Sequence, residues 1–268
     1  MKALVTFCSF IRKTGITFRS PFLIGILLIF PLDSYSQPTD SVRAPSFTEP
    51  LAYAIGVAGT TGGVFLLMSQ DRQIQQFFSS KRNNAIDQTS KYFFSPMGNG
   101  LISLPILGLF YGVGYFKDDR RAQRTAIRGA EAYLLAAITT GVIKQLAHRH
   151  RPYQDDPPDP FQWEGPLAKI SYNSFPSGHS SAIFAIATVI AGEYHETIWV
   201  PVLVYSVAGV TATYRMAVDK HWSSDVFAGS VIGIGCGIFI LHHDPLAKFH
   251  LLPYTSSGPG MTLIFSFK

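Results

Sequence analysis

Residues 174–192 read SFPSGHSSAIFAIATVIAG and join the start of a helix to an apolar helix body. Pro176 before Ser177 and Gly178 is typical of a helix N-terminus, where free backbone N–H groups can bind an anion. Gly178 also lets the backbone approach a ligand closely. The stretch therefore predicts a helix whose first turn faces an anion, with His179 beside it. The alternative is an ordinary helix cap next to an incidental histidine.

Six stretches of low charge have a similar composition and are separated by polar breaks. They cover residues 51–69, 98–116, 126–147, 180–192, 197–213 and 226–241. None alternates as a strand does, and small residues are frequent in all of them, which lets helices pack closely. We therefore predict an all-α fold, a compact helical bundle of about six helices.

The six stretches differ in how well they suit a membrane. A span needs about 20 mainly apolar residues, so the first three stretches are long enough, whereas 180–192 and 226–241 are marginal. Glu131 and Lys144 are costly at the bilayer centre unless they face the bundle interior. The bundle is therefore predicted to be membrane-embedded or membrane-associated. A soluble helical protein with a buried core is the alternative.

The composition of the 268 residues fits this prediction, since 47% are hydrophobic and 15% are charged. The net charge of +5 suits a protein that works beside anionic lipid or handles phosphate. Lys and Arg are scattered, without the basic stripe and interleaved aromatics of a nucleic-acid binder, so no nucleic-acid partner is expected. Cys8 and Cys236 form no metal-binding motif and cannot pair within the chain once a leader is removed.

The N-terminus has the features of a signal peptide. Lys13 and Arg19 precede the apolar run Pro21–Leu32, which is too short to span a membrane, and Ser34–Gln37 offers the small residues of a cleavage site. An uncleaved membrane anchor is the alternative.

The predicted organisation has four parts: a signal peptide at 1–36, a Pro-rich linker at 37–50, the helical domain at 51–245 and a C-terminal tail at 246–268. In the tail, Met261–Lys268 alternates like a single strand.

The charges between Lys117 and Arg128 predict a topology. Five basic residues in this segment favour the cytoplasmic side, so one span later the loop after Lys144 faces outward. A cleaved leader puts residue 37 outside, however, and two full spans before Lys117 would leave the basic segment outside as well. Either 51–69 does not cross, or the leader is not cleaved, or no helix crosses. The predicted location is the cell envelope: the inner membrane with the site facing the periplasm, or the periplasm itself.

Residues 144–152, KQLAHRHRP, carry two cations that are two helical turns apart. On a continuous helix Lys144 and Arg151 share a face, and Pro152 disfavours further helix. An anion between the two side chains would explain the pair. The alternative is that the two cations only complement the dipole at the C-terminus of the helix.

Residues 215–225, RMAVDKHWSSD, place His221 four residues before Asp225. On a helix the two side chains are neighbours, so the carboxylate can accept the imidazole N–H and leave the other ring nitrogen as a free nucleophile. An exposed surface pair is the alternative.

Taken in order, the motifs are Lys-x6-Arg-Pro, Pro-Ser-Gly-His and Arg-x5-His-x3-Asp. In this combination the chain resembles the superfamily of type 2 phosphatidic acid phosphatases and vanadium haloperoxidases, and it looks like a bacterial phosphatase member. The resemblance is strong over residues 144–225. One departure is Tyr214, because family members often have Ser before the Arg that matches Arg215.

The resemblance implies a role for each motif residue. His221 attacks phosphorus while Asp225 holds its ring, and His179 protonates the leaving oxygen. The other matched residues hold the phosphoryl oxygens: Lys144, Arg151, Ser177, Gly178 and Arg215. Three cations can stabilise the equatorial oxygens of a transferring phosphoryl group without a metal. We therefore expect no cofactor and no metal, since the sequence offers no carboxylate cluster suited to Mg²⁺.

The expected function is metal-independent hydrolysis of a lipid phosphate or pyrophosphate in the cell envelope through a phosphohistidine, with membrane lipid as the partner. Three alternatives are a soluble secreted acid phosphatase, a vanadate-dependent haloperoxidase, and a non-enzymatic transport or scaffold protein on the same fold. Outside the motifs, His148 and His150 match nothing and are expected on the surface or in packing, and Asp155 is expected in a solvated loop.

Overall fold

The computed structural model describes residues 48–166, 168, 171–243, 249–254 and 260–265. The predicted signal peptide and most of the predicted linker lie outside these residues.

Most of the described chain is helical. In chain order the elements are α1 (Thr48–Lys81), α2 (Asn84–Thr89), a π-helical turn (Ser90–Phe94), α3 (Ser95–Gly98), α4 (Ser103–Phe116), α5 (Arg120–Ala147), α6 (Gly178–Glu193), α7 (Trp199–Ala217), α8 (Ser223–His243), β1 (Phe249–Tyr254) and β2 (Gly260–Phe265).

The all-α bundle predicted from the sequence is confirmed. Each of the six predicted stretches lies largely within one long helix, but α1 and α5 begin earlier than predicted, at Thr48 and Arg120. Helix α5 starts within the basic segment because Asp119 caps it, accepting a hydrogen bond from the backbone N–H of Ala122 at 3.1 Å.

Helix α6 lies at the centre of the bundle, in contact with α5, α7 and α8. Its residues Ala185 and Val189 are fully buried. They belong to a core cluster with small residues of the neighbours, such as Ala132 of α5 and Ala228 of α8. Small side chains at these positions let the three helices pack at short distance.

Three glycines of α8 lie directly against α6. A Cβ at Gly229 or Gly233 would come within 2.3 Å of the carbonyl oxygen of Ser177 or Ser181, respectively. Gly237 continues this stripe one turn further along α8, where an added Cβ would again be closer than 3 Å to α6. The stripe therefore sets the spacing of the two helices and brings their N-termini side by side.

We expect Gly233→Ala to destabilise the protein, because the methyl group collides with the α6 backbone rather than with a movable side chain. Overpacking of this kind costs about 1–3 kcal/mol in unfolding free energy. The matched control is Gly235→Ala on the same helix, where an added Cβ meets nothing within 4 Å. Thermal unfolding of the detergent-purified variants measures the difference. Equal melting temperatures for the two variants would contradict this account of the α6–α8 contact.

Two described helices, α5 and α8, are long and apolar enough to cross a membrane, judged by length and composition. The segment Asn84–Gly98 and helix α4 pass the same test together, but they are bent by 54° where they join. The prediction that 226–241 is marginal is therefore wrong, because α8 extends beyond it at both ends. Helix α1 is not among the candidate spans, although its stretch 51–69 was predicted to be long enough.

The outward surface of α4, α5 and α7 carries large apolar side chains. Ile106, Leu134, Ile138 and Leu203 are all more than half exposed. Exposed apolar side chains at this density on several neighbouring helices suit contact with lipid rather than water. The protein is therefore a membrane-associated helical bundle.

The basic segment lies at the opposite end of α5 from Lys144. Arg124 and Arg128 donate to the carboxylate of Glu193, at 2.9 and 2.6 Å. This pairing joins the start of α5 to the end of α6, so the two helices run antiparallel. The start of α6 is thereby placed at the same end of the bundle as Lys144.

The tail contains a two-stranded antiparallel sheet in which Phe249 of β1 pairs with Phe265 of β2. Strand β2 lies in the stretch predicted to alternate as a strand. Its partner β1 was not predicted, because residues 249–254 show no alternation that separates them from the preceding helix.

Candidate active site

The three motifs meet at one end of the bundle, where α5 and α7 end and α6 and α8 begin. Lys144 lies in the last turn of α5 and Arg215 in the last turn of α7. Gly178 is the first residue of α6, and Asp225 lies in the first turn of α8. Two helix C-termini that carry cations and two helix N-termini therefore lie at the same end of the bundle, and a helix N-terminus favours a bound anion.

Lys144 and Arg151 do not share a helix face, contrary to the prediction from their spacing. Helix α5 ends at Ala147 because His148 adopts a left-handed conformation with φ of 42°. Arg151 follows in the loop. The two cations nevertheless bind one residue, Asn173.

Asn173 lies between the two cations. Lys144 Nζ donates to the carbonyl oxygen of Asn173 at 2.5 Å, and Arg151 donates to its side-chain oxygen from Nε at 3.0 Å and from Nη2 at 2.8 Å. Asn173 thus supplies uncharged acceptor oxygens, one of the main chain and one of the side chain, to two positively charged groups. An incoming anion would offer a stronger partner to both.

The helix start predicted at Pro176–Gly178 is confirmed, and Ser177, which was predicted to bind phosphate, is the N-cap of α6. Its Oγ accepts hydrogen bonds from the backbone N–H of Ser180 at 3.4 Å and from the Ser180 hydroxyl at 2.9 Å. Its own N–H donates to the carbonyl of Asp225 at 2.9 Å, which links α6 to α8. Gly178 lies beside Lys144, whose Cε would be 3.8 Å from an added Cβ.

His179 faces a segment that none of the three motifs includes. Its Nε2 lies 3.3 Å from the hydroxyl of Ser95 at the start of α3. Burial first, and then the three neighbouring cations, lower the pKa of His179 to about 3, while the backbone of Ser95 acts in the opposite direction. The ring is therefore neutral in the free protein at physiological pH.

His221 and Asp225 are not on one helix face, so the predicted geometry of this pair is wrong. His221 lies in the turn before α8, and Asp225 lies inside its first turn. His221 Nδ1 is 3.7 Å from Asp225 Oδ2, which is too long for a hydrogen bond, and it has no hydrogen-bond partner among the described residues. The helix starts only at Ser223 because Asp225 Oδ2 accepts the backbone N–H of Trp222 at 2.9 Å.

The His221 ring is buried among positive charges. Its side chain is almost completely enclosed. Burial first, and then the neighbouring Lys and Arg side chains, hold the pKa of His221 well below its ordinary value. The imidazole is therefore neutral and keeps a lone pair available for reaction.

Asp225 belongs to a buried ion-pair network that was not predicted. Arg149 bridges two carboxylates, with Nη1 at 2.6 Å from Asp225 Oδ1 and Nη2 at 2.7 Å from Asp71 Oδ2. All three side chains are fully buried. Asp71 lies in α1, so the network connects the first helix of the domain to the start of α8.

Hydroxyl groups complete this network. Ser224 donates its N–H and Oγ to Asp71, at 2.9 and 2.5 Å, and Ser174 donates to Asp225 Oδ2 at 2.6 Å. The guanidinium of Arg149 also donates to the carbonyl of Pro160. Each buried charge thus has several partners, which is the condition under which buried ion pairs hold a unique geometry.

His148 and His150, which match no motif, are both buried, so of the two locations expected for them they take the packed one. His150 lies between Asp155 and Glu164, with ring nitrogens 2.8 and 3.0 Å from their carboxylates, and it stacks on Tyr172 at 3.9 Å. Asp155 is thus a structural partner in the loop rather than a free solvated charge. His148 has no hydrogen-bond partner on either ring nitrogen among the described residues.

Among the described residues, no group of three or more His, Cys, Asp or Glu side chains is placed to hold a metal ion. The charged groups of the site are instead cations around two histidines. This donor set suits an oxyanion rather than a cation.

Comparisons with known proteins concern the part of the chain that carries this site. The family model of the PAP2 superfamily matches residues 126–247, which include every motif residue from Lys144 to Asp225. This part of the chain is similar to that superfamily.

Two curated relatives carry names of lipid phosphatases. Lipid A 1-phosphatase of Porphyromonas gingivalis is 42% identical over 101 residues, which are 35% of this chain and 23% of that protein. Probable lipid phosphate phosphatase 4 of Arabidopsis thaliana is 27% identical over 206 residues, 61% of this chain and 64% of that protein. The chain thus spans less than two thirds of either relative.

The fold is similar to that of a solved structure, a transmembrane PAP2-type phosphatidylglycerolphosphate phosphatase from Bacillus subtilis. The TM-score is 0.50 at 18% identity, covering 71% of this chain and 96% of that one. At this identity the similarity concerns the fold alone.

We expect Asp71→Asn to destabilise the protein strongly, because it leaves the buried charge of Arg149 with one carboxylate fewer. Breaking a buried pair in this way costs about 3–5 kcal/mol. The control is Asp87→Asn, which removes the partly exposed pair with Arg82 and should cost about 0–1 kcal/mol. Denaturant unfolding of both variants measures the difference, and a loss no larger for Asp71→Asn than for Asp87→Asn would contradict the proposed importance of the network.

Proposed function

We propose that the protein is a phosphatase that hydrolyses a lipid phosphate or pyrophosphate through a phosphohistidine on His221. The observation that carries this proposal is the convergence of Lys144, Arg151 and Arg215 on two buried, neutral histidines. The carboxylate of Asp225 beside His221 is already paired with Arg149, so the remaining positive charge favours the binding of an anion. A phosphoryl group, with charge spread over its equatorial oxygens, fits this requirement.

In the first step, a ring nitrogen of His221 attacks phosphorus and the bond from phosphorus to the ester oxygen breaks. Nδ1 faces Asp225, so Nε2 is the attacking nitrogen. The ring becomes cationic as the new bond forms, and the carboxylate of Asp225, 3.7 Å away, stabilises that charge. The three cations stabilise the oxygens of the transferring group.

His179 supplies the proton for the leaving oxygen. Its pKa of about 3 in the free protein is set by burial and then by the three cations. A bound phosphoester brings negative charge into the same space and raises this pKa, so His179 becomes protonated only when substrate is present. In the second step a water attacks the phosphohistidine, His179 accepts its proton, and orthophosphate leaves with His221 restored.

Two observations support a lipid substrate. Helices that carry the site have exposed apolar side chains, which suit contact with the hydrocarbon region of a membrane. The two relatives reported above are also named for lipid phosphates. Phosphatidate, phosphatidylglycerophosphate, a polyprenyl pyrophosphate and a lipid A phosphate all satisfy these requirements.

The candidate spans also support a periplasmic site. The sequence left a conflict between a cleaved leader and a cytoplasmic basic segment. Helix α1 is not among the candidate spans, and the bent pair that ends with α4 can cross once. If the chain is outside at residue 37 and crosses once before Lys117, the basic segment Lys117–Arg128 lies inside, as its charge favours. Helix α5 then returns the chain to the outer face at Lys144.

The direct test of the function is phosphate release from a panel of lipid and soluble phosphoesters by the purified protein in the presence of EDTA. We expect release from at least one lipid phosphate, no loss with EDTA, and no turnover of any ester by His221→Ala. Activity that disappears on chelation and returns with Mg²⁺ would contradict the proposed metal-independent mechanism.

Substrates with different leaving groups distinguish the roles of His179 and His221. General acid catalysis is typically worth about 10²–10⁴-fold, and it matters most for a strongly basic alkoxide. His179→Ala should therefore lose most of its activity on an alkyl phosphate and retain much more in the burst of nitrophenol from a nitrophenyl ester. Equal losses in the nitrophenol burst rate and in the rate of alkyl phosphate hydrolysis would show that His179 is not the general acid.

Reporter fusions test the topology. A reporter phosphatase that is active only in the periplasm should be active when fused after Gln154 and silent when fused after Asp118, since α5 separates the two positions. Comparable expression of both fusions, checked by immunoblot, is the control. The opposite pattern of activity would place the site in the cytoplasm.

A further inference from the structure

Helix α3 brings a hydroxyl group into the site from a distant part of the chain. The Oγ of Ser95 lies 3.3 Å from Nε2 of His179 and 3.2 Å from Nη1 of Arg215. One side chain therefore contacts both the proposed general acid and one of the cations proposed to hold the phosphoryl oxygens. No sequence motif marks Ser95.

The segment that carries Ser95 is held against the site on both sides. The ring of Phe94 stacks on Tyr214, the residue before Arg215, with ring centroids 4.2 Å apart. Gly98 packs on His179 so closely that an added Cβ would be 2.7 Å from the His179 Cβ. Ser95 thus lies between a contact with α7 and a contact with α6, the helices that carry Arg215 and His179.

The chemistry of a hydroxyl suits this position. Arg215 can only donate, so the Ser95 Oγ accepts from it and keeps one further lone pair and its own proton. Towards His179 it can donate to a neutral Nε2 or accept from a protonated one. A residue that gains and loses a proton in each turnover needs a partner that serves both states.

We propose that Ser95 is a positioning residue that holds His179 and Arg215 in fixed relation to the transferring phosphoryl group. The inference rests on the proposed function, because it concerns the general acid and the phosphate-binding cation of that reaction. Ser95 acts through its two partners: it orients the ring that delivers the proton, and it keeps the guanidinium of Arg215 aimed into the site.

The test compares Ser95→Ala with Ser95→Thr, which keeps the hydroxyl, and with Ser103→Ala. Ser103 is a matched control, since its hydroxyl is buried in the next helix and has no hydrogen-bond partner among the described residues. Three quantities are measured on each full-length variant: kcat on an alkyl phosphate, the nitrophenol burst rate, and the dissociation constant of orthovanadate by calorimetric titration. Thermal unfolding checks that the variants fold.

We expect Ser95→Ala to lose about tenfold or more on the alkyl phosphate, the scale of one hydrogen bond to a charged group. The loss in the burst rate should be smaller, because a nitrophenol needs little help from His179. Orthovanadate should bind several-fold more weakly, because Arg215 is less well aimed. Ser95→Thr should restore most of both properties, and Ser103→Ala should match the wild type.

Equal losses on the two esters, vanadate binding unchanged from wild type, or a Ser95→Ala variant indistinguishable from Ser103→Ala would each overturn the inference. Failure of the proposed function gives a different result: the wild type then releases phosphate from no ester. In that case the vanadate titration alone decides, with weaker binding by Ser95→Ala supporting the role of Ser95 and equal binding refuting it.

Discussion

The buried bridge from Asp71 through Arg149 to Asp225 is the interaction on which the geometry of the site depends. It joins α1 to the loop after α5 and to the first turn of α8, and all three charges are removed from water. Such a bridge is stable only when each group keeps its partners, so the three elements are held in one relative position. Asp225 in turn fixes the backbone of Trp222, next to His221, and accepts the N–H of Ser177 on its carbonyl.

The site is asymmetric in charge as a result. The carboxylates of Asp71 and Asp225 are paired with Arg149, whereas the hydrogen bonds of Lys144 and Arg151 go to uncharged oxygens of Asn173 and Ser174. The space around the two histidines is therefore positive, and the pKa of His221 lies well below its ordinary value, first because of burial and then because of those cations. In the proposed reaction a phosphoester restores the balance of charge, which would couple substrate binding to the protonation of His179.

The sequence predicted the elements of the fold well because each depends on local composition. The six helices follow from apolar stretches rich in small residues, and the start of α6 follows from Ser177 and its neighbours. The motif residues were identified because their spacing is distinctive. Asp71 and Ser95 were missed because each contacts residues far along the chain, and a lone Asp or Ser in a helix carries no local signal. The helical placement of Arg151 failed because His148 ends α5 in a left-handed conformation.

The central claim is that His221 becomes covalently phosphorylated during turnover. Rapid quenching of the enzyme with an ester that carries a radiolabelled phosphoryl group, followed by peptide mapping, measures this directly. The account predicts an acid-labile, base-stable label on the peptide containing His221, formed within the first turnover and absent from His221→Ala. Full turnover with no labelled protein at any time, or with the label on another residue, would contradict it.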